Sequence, residues 1–241
     1  MVFVLIGFAA QLVDGALGMA YGQISSTLLI AKGIPPQLAS AGVHTAETFT
    51  TAVSAISHIA HRNVDWRLFV RLVIPGMIGG VVGAYVLTLS ADEAKPFVLA
   101  YLTALGLYLF YRGVMHRHTE RQPKVVSPLG LVGGFLDAAG GGGWGGIVTS
   151  NLLVQGSNPR KTIGTVNTAE FFVTVTISAT FVATLGWQAF TLATVGLLIG
   201  GVFAAPFGAW IAKRVNPDTL LTFVGGLLTL ISLFGLYRAL S

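Results

Sequence analysis

The sequence predicts an all-α membrane protein that crosses the bilayer several times, and three observations predict it. Apolar residues come in eight long blocks, charged residues make up only 10% of the chain, and the chain matches itself at an offset of 123 positions. A soluble domain carries about 25% charged residues. A globule with this composition would lack the polar side chains to cover itself in water. The blocks are residues 1–31, 36–60, 67–90, 96–113, 127–155, 160–184, 188–212 and 217–239. A helix needs about 20 residues to cross the hydrocarbon core, and the lipid bilayer is therefore the first expected partner. The net charge of +5 does not point to nucleic acid, because Lys and Arg sit in short gaps between apolar blocks. The absence of cysteine excludes disulfides and thiolate metal sites. No cofactor or metal is expected. Met1 to Ala10 lacks a basic leader region and a cleavage signal, and reads as part of the first membrane segment.

The self-match divides the chain into a first transmembrane repeat (1–114), a polar linker (115–126) and a second repeat (127–241). Gly7–Thr51 aligns with Gly130–Thr174 without a gap, and fifteen of the forty-five positions are identical. The matches include residues that chance seldom pairs: Asp14 with Asp137, Gly18 with Gly141, Gly22 with Gly145, Gly33 with Gly156, Pro36 with Pro159, and Thr45-Ala46-Glu47 with Thr168-Ala169-Glu170. Further on, Trp66 meets Trp187 and Gly79-Gly80 meets Gly200-Gly201. Internal repeats of this kind are a common plan of secondary transporters.

The first block of each repeat is interrupted, at Asp14–Gly22 and at Asp137–Gly146. Each arm is too short to span alone, which leaves a broken crossing helix or a re-entrant hairpin. Loop charges choose between them. With eight crossings, Lys and Arg divide eight to six. With both first blocks re-entrant, Arg62, Arg67, Arg71, Arg112, Arg117, Arg121, Lys124, Arg160, Lys161, Lys213 and Arg214 share one side, against Lys32, Lys95 and Arg238. The second arrangement obeys the positive-inside rule, gives each repeat three crossings and points the two copies in opposite directions. It places the protein in the cytoplasmic (inner) membrane with both termini outside.

Four of the nine acidic residues lie inside apolar blocks, as two repeat-related pairs: Asp14 with Asp137, Glu47 with Glu170. A carboxylate at the bilayer centre costs about 2.5–3.5 kcal/mol on insertion scales. Glu47 lies eleven residues after Pro36, about 16 Å along a helix and so near the midplane. Each Glu reads either as a titrating group or as a cap on backbone freed by the breaks, and the two readings are compatible. Asp14 and Asp137, at the breaks, read first as caps. Six of the seven residues 140–146 are Gly, which destabilises helix by roughly 1 kcal/mol each. Small residues also serve close helix packing, the expected role of Gly79-Gly80 and Gly200-Gly201. At the breaks, however, exposed N–H groups must face protein or a polar cavity, and a helix restarting there suits an anion. The candidate binding residues are therefore Gly18, Tyr21, Gly22 and Gln23 at one break and Gly141, Trp144, Gly145 and Gly146 at the other. His44 and Thr45, with their counterparts Asn167 and Thr168, join them at similar depth. His58, His61, His116 and His118 read as solvated residues at segment ends or in the linker.

The opening Gly7–Gly22, His44-Thr45-Ala46-Glu47, Gly140–Gly146 and Asn167-Thr168-Ala169-Glu170-Phe171 together resemble the TauE/SafE family of sulfite exporters and related permeases. The resemblance covers nearly the whole chain. It implies transport of a small sulfur-containing anion such as sulfite, thiosulfate, sulfoacetate or another organosulfonate. No ATPase phosphate-binding motif is present, so coupling to protons through Glu47 and Glu170 is expected, in a secondary transporter working by alternating access. The alternative is a passive anion channel lined by the same Gly loops. No His-Glu-x-x-His or Gly-x-Ser-x-Gly motif supports an enzyme. A homo-oligomer is compatible with this reading.

Overall fold

A computed structural model describes residues 1–17, 19–89, 94–115, 122–189, 191–212 and 217–240. Gly18, linker residues 116–121 (with Arg117 and Arg121), Lys213 and Arg214 lie outside the described residues. Within them the chain is helical: α1 (Val2–Leu17), α2 (Tyr21–Ala31), α3 (Pro36–Ala60), α4 (Trp66–Leu89), α5 (Ala94–Val114), α6 (Ser127–Gly140), α7 (Ser150–Val154), α8 (Pro159–Leu185), α9 (Leu192–Ala212) and α10 (Pro217–Leu240). A π-helical turn, Gly145–Thr149, leads into α7. Three stretches among the described residues are long and apolar enough to cross a membrane on their own, namely Trp66–Leu89, Pro96–Val114 and Lys161–Leu185.

Local chemistry sets the helix ends. Gly33 follows α2 at φ 86° and Gly156 follows α7 at φ 92°, and each closes its helix in the same way. Gly33 N–H donates to Ile30 O and Ile34 N–H to Leu29 O; Gly156 N–H donates to Leu153 O and Ser157 N–H to Leu152 O. This is the glycine stop that satisfies the last carbonyls of a helix. Pro36 and Pro159 then open α3 and α8, where the missing N–H costs nothing. Asn158 caps α8 by accepting from Lys161 N–H at 3.2 Å, and Asp65 caps α4 by accepting from Arg67 N–H and Leu68 N–H.

The packing joins distant parts of the sequence. α1 lies along α9, α6 along α4, α5 along α10 and α3 along α8. The glycine pairs allow the closest approaches: a Cβ on Gly79 would sit 2.9 Å from Phe135 N of α6, and one on Gly200 2.6 Å from Phe8 N of α1. The outer surface is apolar. On α4, Val70, Ile74, Ile78, Val82, Tyr85 and Leu89 are all exposed, while Gln23, Ser25, His44, Glu47 and Asp137 are buried. A polar interior beneath an apolar exterior is the arrangement that lipid selects.

The ends of the broken segments are also fixed. Lys32, past α2, lines one cavity with Met1, with Val2, Phe3 and Val4 of α1 and with Leu192 at the start of α9. Both arms of the first segment thus finish at one end of the bundle. At the far end of the 25-residue α3, about 37 Å away, Gln155 does the same for the second segment. Its Oε1 accepts from Lys124 N–H at 3.0 Å and Val125 N–H at 2.9 Å, and its Nε2 donates to Val125 O at 3.1 Å. There too Arg71 Nη2 donates to Lys124 O at 3.3 Å and Lys161 Nζ to Arg62 O at 2.7 Å.

Candidate transport site

Two helix breaks meet in the middle of the fold. In the first, α1 stops at Leu17 and α2 restarts after Ala20, which sits in the left-handed region at φ 93°. In the second, Gly141 at φ 73° turns the chain out of α6. Gly22 and Gly142 press backbone to backbone: a Cβ on Gly22 would lie 2.7 Å from Gly142 Cα, and one on Gly142 2.6 Å from Gly22 Cα. Three side chains pin the second tip. Ser40 Oγ of α3 donates to Ala138 O at 2.7 Å, Tyr101 OH of α5 to Gly142 O at 3.2 Å, and Ser26 Oγ of α2 to Gly141 O.

Asp137 organises this tip. Its carbonyl accepts from Gly141 N–H and Gly142 N–H, its Oδ1 accepts from Trp144 N–H at 2.9 Å, and its Oδ2 lies 3.1 Å from His44 Nε2. Asp14 engages the Tyr21 backbone and the Gln11 side chain at the first break. Glu47 is bonded by the Gly22 N–H and keeps a buried Oε2 without a partner. Glu170, on α8, is partly exposed. Glu47 and Glu170 lie within electrostatic reach of each other and of both Asp14 and Asp137. Glu47 is the twelfth of 25 residues in α3, and Glu170 the twelfth of 27 in α8. No group of three His, Cys, Asp or Glu among the described residues has metal-binding geometry.

The other candidates divide by what their polar atoms do. Thr45 and Thr168 donate to their own helices, at Ala41 O and Gly164 O, each at 2.7 Å. Tyr21 OH donates to Leu197 O at 3.1 Å. The Trp144 indole is fully buried, with Nε1 donating to Val166 O at 3.2 Å. It fills a slot left by Gly76, where a Cβ would meet Trp144 Cη2 at 2.6 Å, so its ring serves packing. Asn167 Nδ2 lies 3.4 Å from His58 Nε2. His58 is therefore not a solvated loop residue: it is half-buried in the last turn of α3, between Asn63 and Asn167. His116 and His118 lie outside the described residues.

What remains unspent is informative. Gln23 Nε2, Ser25 Oγ and Thr27 Oγ1 of α2 and Thr149 Oγ1 of the π turn are buried without a hydrogen-bond partner. Gln23 Nε2 faces the second arm, where a Cβ on Gly146 would lie 2.7 Å from it. Gly145 and Gly146 open that arm, so their N–H groups belong to the first helical turn, which has no acceptors of its own. A native interior leaves such atoms bare only for a reason, a polar ligand among them. Sequence reasoning missed Ser40 and Tyr101. Ser40 stands one turn before His44, a weak signal; Tyr101 comes from a helix whose pattern carries none.

The profile of the family described as Sulfite exporter TauE/SafE matches residues 3–235. The chain belongs to the TauE/SafE family. It is also 44% identical to the Probable membrane transporter protein YtnM of Bacillus subtilis (strain 168), over 96% of this chain and 80% of that protein. No solved structure matches. TauE/SafE membership and that relative indicate a membrane transporter rather than an enzyme, which agrees with the apolar exterior of the fold.

Proposed function

We propose that this chain is a secondary transporter that moves a small sulfur-containing anion across the cytoplasmic membrane, coupled to protons through Glu47 and Glu170. The observation that carries the reading is the set of unpartnered donors on the two arms that restart after the breaks: Gln23 and Thr27, one turn apart on one face of α2, and Thr149 on the second arm. Together with the N–H groups of Gly145 and Gly146 they suit an oxyanion held by amides and hydroxyls. Such a site releases its load more readily than one built on Arg. Glu47 and Asp137 stand at the two breaks, within electrostatic reach of Glu170, so an anion there is repelled unless protons enter with it. Proton and anion then favour each other's binding.

The two halves are read as inverted repeats that rock around the tips. Three facts support this: Lys32 beside Met1, Gln155 beside Val125, and the cross-packing of α1 with α9 and α6 with α4. Arg62, Arg71, Lys124 and Lys161 then face the cytoplasm. Because the chain has no cysteine, Lys124→Cys and Lys161→Cys should label from the cytoplasmic side with an impermeant reagent, and Lys32→Cys from the outside. Labelling of all three from one side would end the inverted reading.

The substrate class is tested by titrating the purified protein with sulfite, sulfate, thiosulfate and an organosulfonate. Saturable binding of at least one sulfur oxyanion is the expected result, and no binding of any would sink the proposal. A passive channel differs in flux: ion passage far above carrier turnover in proteoliposomes would select it instead.

A further inference from the structure

His44 and Asp137 join α3 to the second tip, and hydrogen-bond accounting fixes the proton content of their contact. His44 Nδ1 lies 2.8 Å from Ser40 O, and a carbonyl only accepts, so Nδ1 carries a hydrogen. The Ser40 hydroxyl, 3.3 Å from Nδ1, does not offer an alternative, since its one hydrogen is directed at Ala138 O at 2.7 Å. Nε2 then meets Asp137 Oδ2 at 3.1 Å, with the two side chains 0% and 3% exposed. A neutral ring protonated on Nδ1 presents a lone pair at Nε2, and an ionised carboxylate presents lone pairs as well. Two acceptors do not bond. The contact therefore needs one more proton, on Nε2 as an imidazolium or on Oδ2 as a carboxylic acid. The repeat counterpart of His44 is Asn167, whose amide goes to His58 instead, so this joint belongs to one half only.

We infer that the His44–Asp137 pair is a proton-holding joint: it takes up one proton when α3 closes on the second tip and gives it to water when they part. Asp137 Oδ1 also holds the Trp144 N–H, so through Asp137 the joint ties α3 to the start of the arm that carries Gly145 and Gly146. The titratable groups that face Asp137 are Glu47 on α3, Glu170 on α8 and Tyr101 on α5, with Asp14 on α1 behind the two glutamates. None of these is a permanent cation, so no fixed positive charge stands in for the hydrogen that the contact needs. The coupling to transport rests on the function proposed above; the protonation of the pair does not.

The pair is read directly by nitrogen NMR of the purified protein labelled with 15N-histidine, with His44→Asn used to assign His44 among the five histidines. The expected spectrum has a hydrogen on Nδ1, with Nε2 either protonated or accepting from a carboxylic acid. A bare Nδ1 with the hydrogen on Nε2 overturns the inference. Asp137→Asn supplies the second arm and the safeguard against a variant that does not fold. Its amide donates to Nε2 and its carbonyl still accepts from Trp144 N–H, so the contact no longer needs the extra proton. In proteoliposomes loaded with thiosulfate, this variant should move one proton fewer per turnover than the wild type. Unchanged proton movement overturns the joint. A wild type that moves no sulfur oxyanion overturns the transport reading alone, and the NMR result still judges the pair.

Discussion

Gly142→Ala is expected to reduce transport at least tenfold, while Gly33→Ala leaves it near the wild-type level. Both glycines occupy the region of positive φ, at 137° and 86°. They differ in what surrounds them. Nothing lies within 4 Å of a Cβ on Gly33, whereas a Cβ on Gly142 would fall 2.6 Å from both Gly22 Cα and Gln23 N. Strain alone costs about 1–2 kcal/mol for an ordinary residue in the left-handed region. At Gly142 the backbone of the first tip must also retreat, which adds roughly 1–3 kcal/mol of overpacking. That retreat moves Gly22 away from Glu47 and moves Gln23 away from the second arm. A lost tenfold corresponds to about 1.4 kcal/mol, so the added term suffices. Uptake by reconstituted vesicles and the melting temperature in detergent separate the two variants. If Gly142→Ala matches Gly33→Ala in both measurements, the tips do not meet as described.

Much of this was legible because glycine, proline and charge are local signals. The block 36–60 reads as α3 (Pro36–Ala60) to the residue, since Pro36 opens it and polar Arg62-Asn63 follows its end. The breaks at 14–22 and 137–146 contain the observed stops at Leu17 and Gly140 and the restarts at Tyr21 and Gly145. The four intramembrane carboxylates stood out because an apolar block makes a charge conspicuous. What stayed hidden depends on which helices touch. His44 and Asp137 are 93 positions apart, and no periodicity relates them. Trp144 stands among glycines and is a candidate binding residue on that ground. The space for its indole is made instead by a distant glycine on α4, Gly76, a partner that only the cross-packing of α4 on α6 supplies. His58 looked solvated for the same reason: its neighbour Asn167 comes from the other half of the chain.

Glu47→Gln combined with Glu170→Gln is expected to leave anion binding intact and to remove the share of the proton drive that the two glutamates carry. Glutamine keeps the shape and the acceptor oxygen that receives the Gly22 N–H, so the first tip stays capped. It does not titrate. In the wild type, low pH on the loading side places protons on the carboxyl groups beside the anion, lowers their repulsion and favours the loaded state. The sign follows: uptake into vesicles rises as the outside is made more acidic, and falls as it is made more alkaline. Each coupled proton contributes about tenfold in accumulation, or 1.36 kcal/mol, per unit of pH difference. The double variant should therefore accumulate about tenfold less anion per lost proton across a one-unit gradient, while exchange without a gradient continues. The single variants should not be equivalent, because the two sites are not. Glu47 is 5% exposed, and Gly22 holds one end of its carboxylate; Glu170 is more open. Glu47→Gln removes the option of a buried charge on a carboxylate whose Oε2 has no partner and should raise the melting temperature, whereas Glu170→Gln should change it little. A double variant that accumulates anion with the wild-type pH profile would assign both glutamates a purely structural role.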